Sequence, residues 1–197
     1  MRNALVAGLV LALTGICAPS HAQQQEPSAA MKAAMEKAKR FTEPGPAHKV
    51  LERFLGKWTT QTRLYMGPKP TAPEKGTAEF SWVMPGRWMK SEGAGTLMGL
   101  PSRTFMLMGY DNFKQSYVVT MVNGIDTAMT HAEGDMDPSG NTLIAYGTLD
   151  EYLTGEHDKM VKYVWRFQSP TRIVLEVHDL PIGENNTKVV EVTFEKQ

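Results

Sequence analysis

Cysteine is nearly missing from this chain. Its one example, Cys17, lies inside an apolar stretch at the N-terminus. Without that stretch the protein has no disulfide, no thiol nucleophile and no thiolate metal site. An excess of one charge is missing as well. The 21 basic and 21 acidic residues balance, and losing Arg2 with the leader leaves the remainder a single net negative charge. Such a chain carries no electrostatic footprint for nucleic acid or an anionic membrane. Three catalytic signatures are absent: a G-x-S-x-G elbow, an H-E-x-x-H helix and a phosphate-cradling glycine loop. Ser91, Ser102, Ser116 and Ser139 stand in no context that marks a nucleophile. His157 and Glu151 have no spacing that would fix a metal geometry, so the sequence implies neither metal nor cofactor.

What is present begins with a three-part leader. Arg2 precedes an uncharged run from Ala4 to Ala18, Pro19 breaks it, and Ser20-His21-Ala22 places small residues where a signal peptidase reads them. Residues 1–22 therefore read as a secretory signal, and the expected location is the periplasm or the exterior. The apolar run is shorter than the ~20 residues a membrane-spanning helix needs, so no membrane anchor is expected after cleavage. Lipid attachment at Cys17 does not fit either, because Ile16 and Thr14 replace the small residue and the leucine that such a signal wants.

Residues 23–45 form a polar leader followed, from Ser28 to Phe41, by Ala, Met, Lys and Glu, which are strong helix formers. The apolar positions make no wide stripe, which predicts a loosely attached helix ended by Glu43-Pro44-Gly45-Pro46. Val50, Leu51, Phe54 and Leu55 share a face of a second short helix.

From Trp58 the apolar period changes to two. Val161, Tyr163, Trp165 and Phe167 alternate with Lys162, Val164 and Arg166; Val190, Val192 and Phe194 alternate with Glu191, Thr193 and Glu195. These are half-buried strands. About ten such runs can be counted, at 58–65, 74–84, 88–98, 102–111, 115–123, 127–136, 142–149, 160–168, 171–179 and 187–195. Their turn-rich spacers are too short for parallel crossovers. A long amphipathic meander buries its apolar face most simply by closing on itself. The expected fold is all-β, an up-and-down antiparallel barrel over residues 46–197 preceded by one or two short helices, with a two-sheet sandwich as the alternative.

Gly56-Lys57-Trp58 stands where the short helix hands over to the first strand. A glycine there permits a tight turn, and the indole can plug one end of a barrel. This G-x-W resembles the opening motif of lipocalins and the wider calycin group. A broader resemblance starts with His48-Lys49-x-Leu51 and Leu55-Gly56-Lys57-Trp58. It continues through Pro85-Gly86-Arg87-Trp88, Glu92-Gly93, Met108-Gly109-Tyr110-Asp111, Thr130-His131, Glu133-Gly134 and Asp137 to Gly140. In these motifs the chain resembles a bacterial family of unknown function, DUF1579. The resemblance implies a calycin-like barrel, often exported, and no established activity. It is less distinct from Glu151 onward.

Candidate ligand contacts are the aromatic and sulfur side chains expected inside: Phe80, Trp82, Met106, Tyr110, Tyr163 and Trp165, with Gly56 and Trp58 as structural residues of the barrel's opening. Methionine fills irregular apolar space and adapts to varied ligands. Met129, His131, Glu133 and Asp135 share one strand face. Facing inward, His131 joins the ligand set; facing outward, it belongs to a solvated stripe. His178 falls opposite Ile173, Leu175 and Val177. That parity argues against the haem ligation by a C-terminal histidine known in the nitrobindins, another group of small calycin-like barrels.

Three functions follow as expectations. The first is an exported barrel holding a small, mainly apolar molecule in its interior, which ten strands could leave hollow. The second is a hydrolase or isomerase with its site in the barrel mouth around His131, Glu133 and Tyr110. The third is a module that binds another envelope protein.

Overall fold

The computed structural model describes residues 27–197 apart from 68, 152–153 and 181–186, and of Thr187 only the backbone. The leader at 1–22 lies outside the described residues. The chain divides into two compact units at Lys37/Ala38. Helix α1 (Ala29–Thr42) buries none of its side chains. Among the described residues no helix is long and apolar enough to cross a membrane.

Within Ala38–Gln197, helix α2 (Pro46–Lys49) passes directly into a single 3-10 turn (Val50–Arg53). Ten strands follow: β1 (Gly56–Leu64), β2 (Glu74–Met84), β3 (Trp88–Leu97), β4 (Leu100–Asp111), β5 (Ser116–Asn123), β6 (Met129–Met136), β7 (Thr142–Glu151), β8 (Glu156–Ser169), β9 (Arg172–Asp179) and β10 (Thr187–Lys196). Each pairs antiparallel with the next, and β10 closes on β1 from Trp58↔Lys196 to Leu64↔Val190. The barrel, not the sandwich, is the fold.

Of the strand boundaries that differ from the periodicity, two have clear local reasons. Strand β6 starts at Met129 because the side chain of Asn123 accepts from the Ile125 and Asp126 amides and Asp126 accepts from Ala128. Those bonds hold 124–128 as a turn, satisfying backbone groups that a strand would have paired. Strand β8 starts at Glu156 because Gly155, at φ +75°, turns the chain so that Glu151 pairs with Glu156. The polar residues there hide this extension from an apolar pattern.

The helical segment covers one end of the barrel. Leu51, Phe54 and Trp58 are wholly or almost wholly buried. Phe54 meets Phe80 and Phe167 at ring separations of 5.5 and 4.9 Å. The Tyr117 hydroxyl donates to the Ala47 carbonyl at 2.8 Å, and Arg53 donates to the Gly140 carbonyl at 2.7 Å while lying 3.8 Å over the Phe167 ring. Gly56, with φ +118°, makes the sharp passage from this plug into β1. The last turn of α1 is tied to the same end, where Arg87 donates to the Thr42 carbonyl and Phe41 stacks on Phe113.

Candidate binding cavity

Alternation decides what faces inward, and ladder register carries that choice around the ring. Phe80 pairs with Ser91, Ser91 with Met106, Met106 with Met121, and Met121 with Thr130. All five line one interior cavity of about 470 Å³. Its walls are unequal. On β1 to β4, beside Leu64, Phe80 and Met106, most of the lining residues are small: Thr60, Thr62, Gly76, Ala78, Ser91, Gly93, Gly95 and Thr104. On β8 to β10 they are large: Tyr163, Trp165, Leu175, Val177, Val190, Val192 and Phe194. Small inward residues leave space beyond the plugged end, and that asymmetry makes the barrel hollow.

Among the described residues, the end opposite the plug carries the charge. Lys75, Asp126, Asp150, Glu151 and Asp179 border the cavity there. Asp179 is paired with Lys159 at 2.9 Å, and that hydrogen bond holds the Lys159 ammonium above its ordinary pKa. Asp126 accepts from the Asn123 amide at 2.9 Å. Deeper in, Tyr163 and Trp165 stack at 5.8 Å. Burial pushes the Tyr163 phenol up to about 12, with the Thr130 side chain acting in the opposite direction.

Of the residues expected to meet a ligand, Phe80, Met106, Tyr163 and Trp165 stand on the cavity wall. Trp82 and Tyr110 pack against the core without lining it. Tyr110 meets His48 edge-on at 5.5 Å and Tyr117 at 5.0 Å, which places it at the plugged end. Burial first, then the charge of Arg87, holds the His48 imidazole below its ordinary pKa, and Nδ1 accepts from the Gly45 amide at 3.0 Å.

His131 is not interior. Ala132 pairs with Val119 and faces the core, so His131 faces out, its side chain 53% exposed. It contacts Thr120 at 3.3 Å and Glu133 at 3.1 Å, and Lys114 pairs with the same Glu133. Hydrogen bonds from Lys114 and His131 keep the Glu133 carboxyl below the usual range. The inward face of β6 consists of Thr130, Ala132 and Gly134, too small to register as an apolar stripe, so the alternation left both orientations of His131 open. Tyr110 lies on the inward side of β4, and Tyr110, His131 and Glu133 do not converge. His178 also faces out, beside Glu176 at 3.6 Å. Among the described residues no group of three or more His, Cys, Asp or Glu could hold a metal.

The reading from sequence missed the glycines at 76, 93 and 95, the threonines at 60 and 62, and the apolar set on β9 and β10. Register passed from hairpin to hairpin would have found them. A second, open depression of about 670 Å³ crosses β1 to β5, and outward-facing Lys57, Glu79, Glu92, Arg103 and Phe105 contribute to it.

The model of a family described as protein of unknown function, DUF1579, matches residues 43–196. The solved structure of Rv2717c from M. tuberculosis is similar at a TM-score of 0.58 and 11% identity, over 79% of this chain and 99% of that one. The S-type phycobiliprotein lyase CPES from Guillardia theta aligns at a TM-score of 0.49 and 10% identity, over 76% of this chain and 91% of that one. None of the curated proteins matches this chain. At 11% identity the first likeness concerns the fold alone, and the second is too loose to bear on function.

Proposed function

This chain belongs to the DUF1579 family of proteins of unknown function, and we propose that it is an exported barrel that holds a small, mainly apolar molecule. The observation that carries the reading is the cavity of about 470 Å³ within the ring of strands. Ligand sites are typically concave and mostly apolar, on the order of 300–1,000 Å³. A cavity lined by Phe, Trp, Leu, Val and Met gains from exchanging poorly bonded water for an apolar solute, at roughly 25 cal/mol per Å² of apolar surface removed from water. Export is supported by the basic start, apolar middle and small-x-small end of residues 1–22.

The test is native mass spectrometry of protein taken from its own envelope compartment. The expected spectrum shows a chain beginning after Ala22 and an added small-molecule mass that organic solvent releases. An empty barrel from that compartment, with no apolar probe able to bind it, would count against the reading.

A further inference from the structure

The Tyr163 hydroxyl is the unsatisfied group of the cavity wall. The residue is 4% exposed, and among the described residues its hydroxyl has no hydrogen-bond partner. Its ladder neighbours, Ala145 and Val177, offer no polar side chain. The Thr130 side chain lies near enough to pull the phenol's pKa down as a weak hydrogen-bond partner would, but it does not meet hydrogen-bonding geometry. A buried hydroxyl left unpaired costs about 1–3 kcal/mol, and native proteins leave few of them. Among the described residues four carboxylates border the cavity mouth, and only Asp179 of them is neutralised, by Lys159 at 2.9 Å; one lysine, Lys75, borders it with them. An anionic ligand would meet like charge there, and among the described lining residues no cation stands deeper in the wall to receive it.

Resting on the cavity reading, we infer that the ligand is a neutral, mainly apolar molecule bearing one uncharged oxygen, a hydroxyl or a carbonyl, and that Tyr163 is the residue that hydrogen-bonds it. The phenol stays protonated at neutral pH, so it can donate to a carbonyl or exchange with a hydroxyl. The stacked Trp165 ring supplies the apolar surface beside that contact.

The test compares naphthalene, naphthol and naphthoate by equilibrium dialysis against the protein and its Tyr163→Phe variant. Naphthol is expected to bind the unmodified protein about threefold to tenfold more tightly than naphthalene, the range of one net hydrogen bond. Naphthoate should bind more weakly than either. Tyr163→Phe should abolish the advantage of naphthol and leave naphthalene unchanged. The empty variant should melt at the same temperature or higher, since an unpaired polar atom has been removed. Equal binding of naphthol and naphthalene, or tightest binding of naphthoate, overturns the inference while leaving the cavity reading intact. A lower melting temperature overturns it too, by assigning the hydroxyl to a bond within the fold. Failure of all three probes to bind overturns both.

Discussion

The indole Nε1–H of Trp58 donates a 2.7 Å hydrogen bond to the carbonyl oxygen of Phe54, and both side chains are buried. The bond spans the junction at Gly56, tying the last residue of the plug to the first inward side chain of the barrel. The Phe194 ring meets the indole edge-on at 6.5 Å, so the closing strand β10 leans on the same group. Trp58→Phe removes the donor, strands a buried carbonyl and leaves a void. The expected loss is about 2 kcal/mol or more, read as a lower denaturant midpoint with the far-ultraviolet strand signal retained. An unchanged midpoint would mean that the plug does not depend on this bond.

Gly134 sits on the inward face of β6 against β7. A Cβ there would fall on the carbonyl of Ile144 and the Cα of Ala145, both backbone and unable to step aside. Gly134→Ala is therefore expected to cost about 3 kcal/mol, in contrast to the stabilisation Ala usually brings to a strand. Gly124→Ala is the control. Its Cβ would come no nearer than 3.7 Å to the Arg103 carbonyl, so the change should stay within about 0.5 kcal/mol. Paired thermal melts check the contrast.

His48 makes the plug sensitive to mild acid. Its folded pKa lies below the ordinary 6.5, so the fold favours the neutral ring. Stability is fully present above pH 6.5 and declines as pH falls through the lower folded value. Protonation would also place a proton on Nδ1, where the Gly45 N–H already points. Glu133 and Glu176 are shifted down from 4.5, so their losses begin only in more acid solution. His48→Gln should flatten the stability curve just below pH 6.5 and leave the more acid limb in place; an unaltered curve would remove His48 from the account.

At the alkaline end the direction reverses. The Tyr117 and Tyr163 phenols are pushed up to about 12 from 10, chiefly by burial, so the fold favours their neutral forms. Stability should fall as pH rises from 10 towards 12. Ultraviolet titration is expected to show Tyr117 and Tyr163, of the six tyrosines, resisting ionisation until the barrel opens, with Tyr110 also shifted up by burial. Six equivalent titrations in the folded protein would refute it.

Leu175 borders the cavity while only half-buried, which leaves room beside it. Leu175→Phe should fill part of that room. On the cavity reading, naphthalene binding weakens more than about tenfold, the consequence of losing some 1.4 kcal/mol of apolar contact, while the melting temperature holds or rises. Retained affinity would place the apolar site elsewhere.

The strands were legible because a half-buried strand must alternate. Glu74–Met84 emerged with both of its ends as the period predicts, and Trp88–Leu97 and Arg172–Asp179 came within a residue at one end. Short turns then demanded antiparallel neighbours, and an amphipathic meander of that length has to hide its edges, so closure followed. Periodicity could separate the two faces of β6 but could not say which was inward. Ala132 and Gly134 face the core only because Val119 and Tyr117 on the paired strand already fill it. Nor could it say that the interior is hollow. That depends on small residues of β1 to β4 lying across the ring from Trp165 and Leu175, which are distant in sequence and brought together by register and closure. Whether Tyr163 has a partner for its hydroxyl was decided in the same way, by what three-dimensional packing placed beside it.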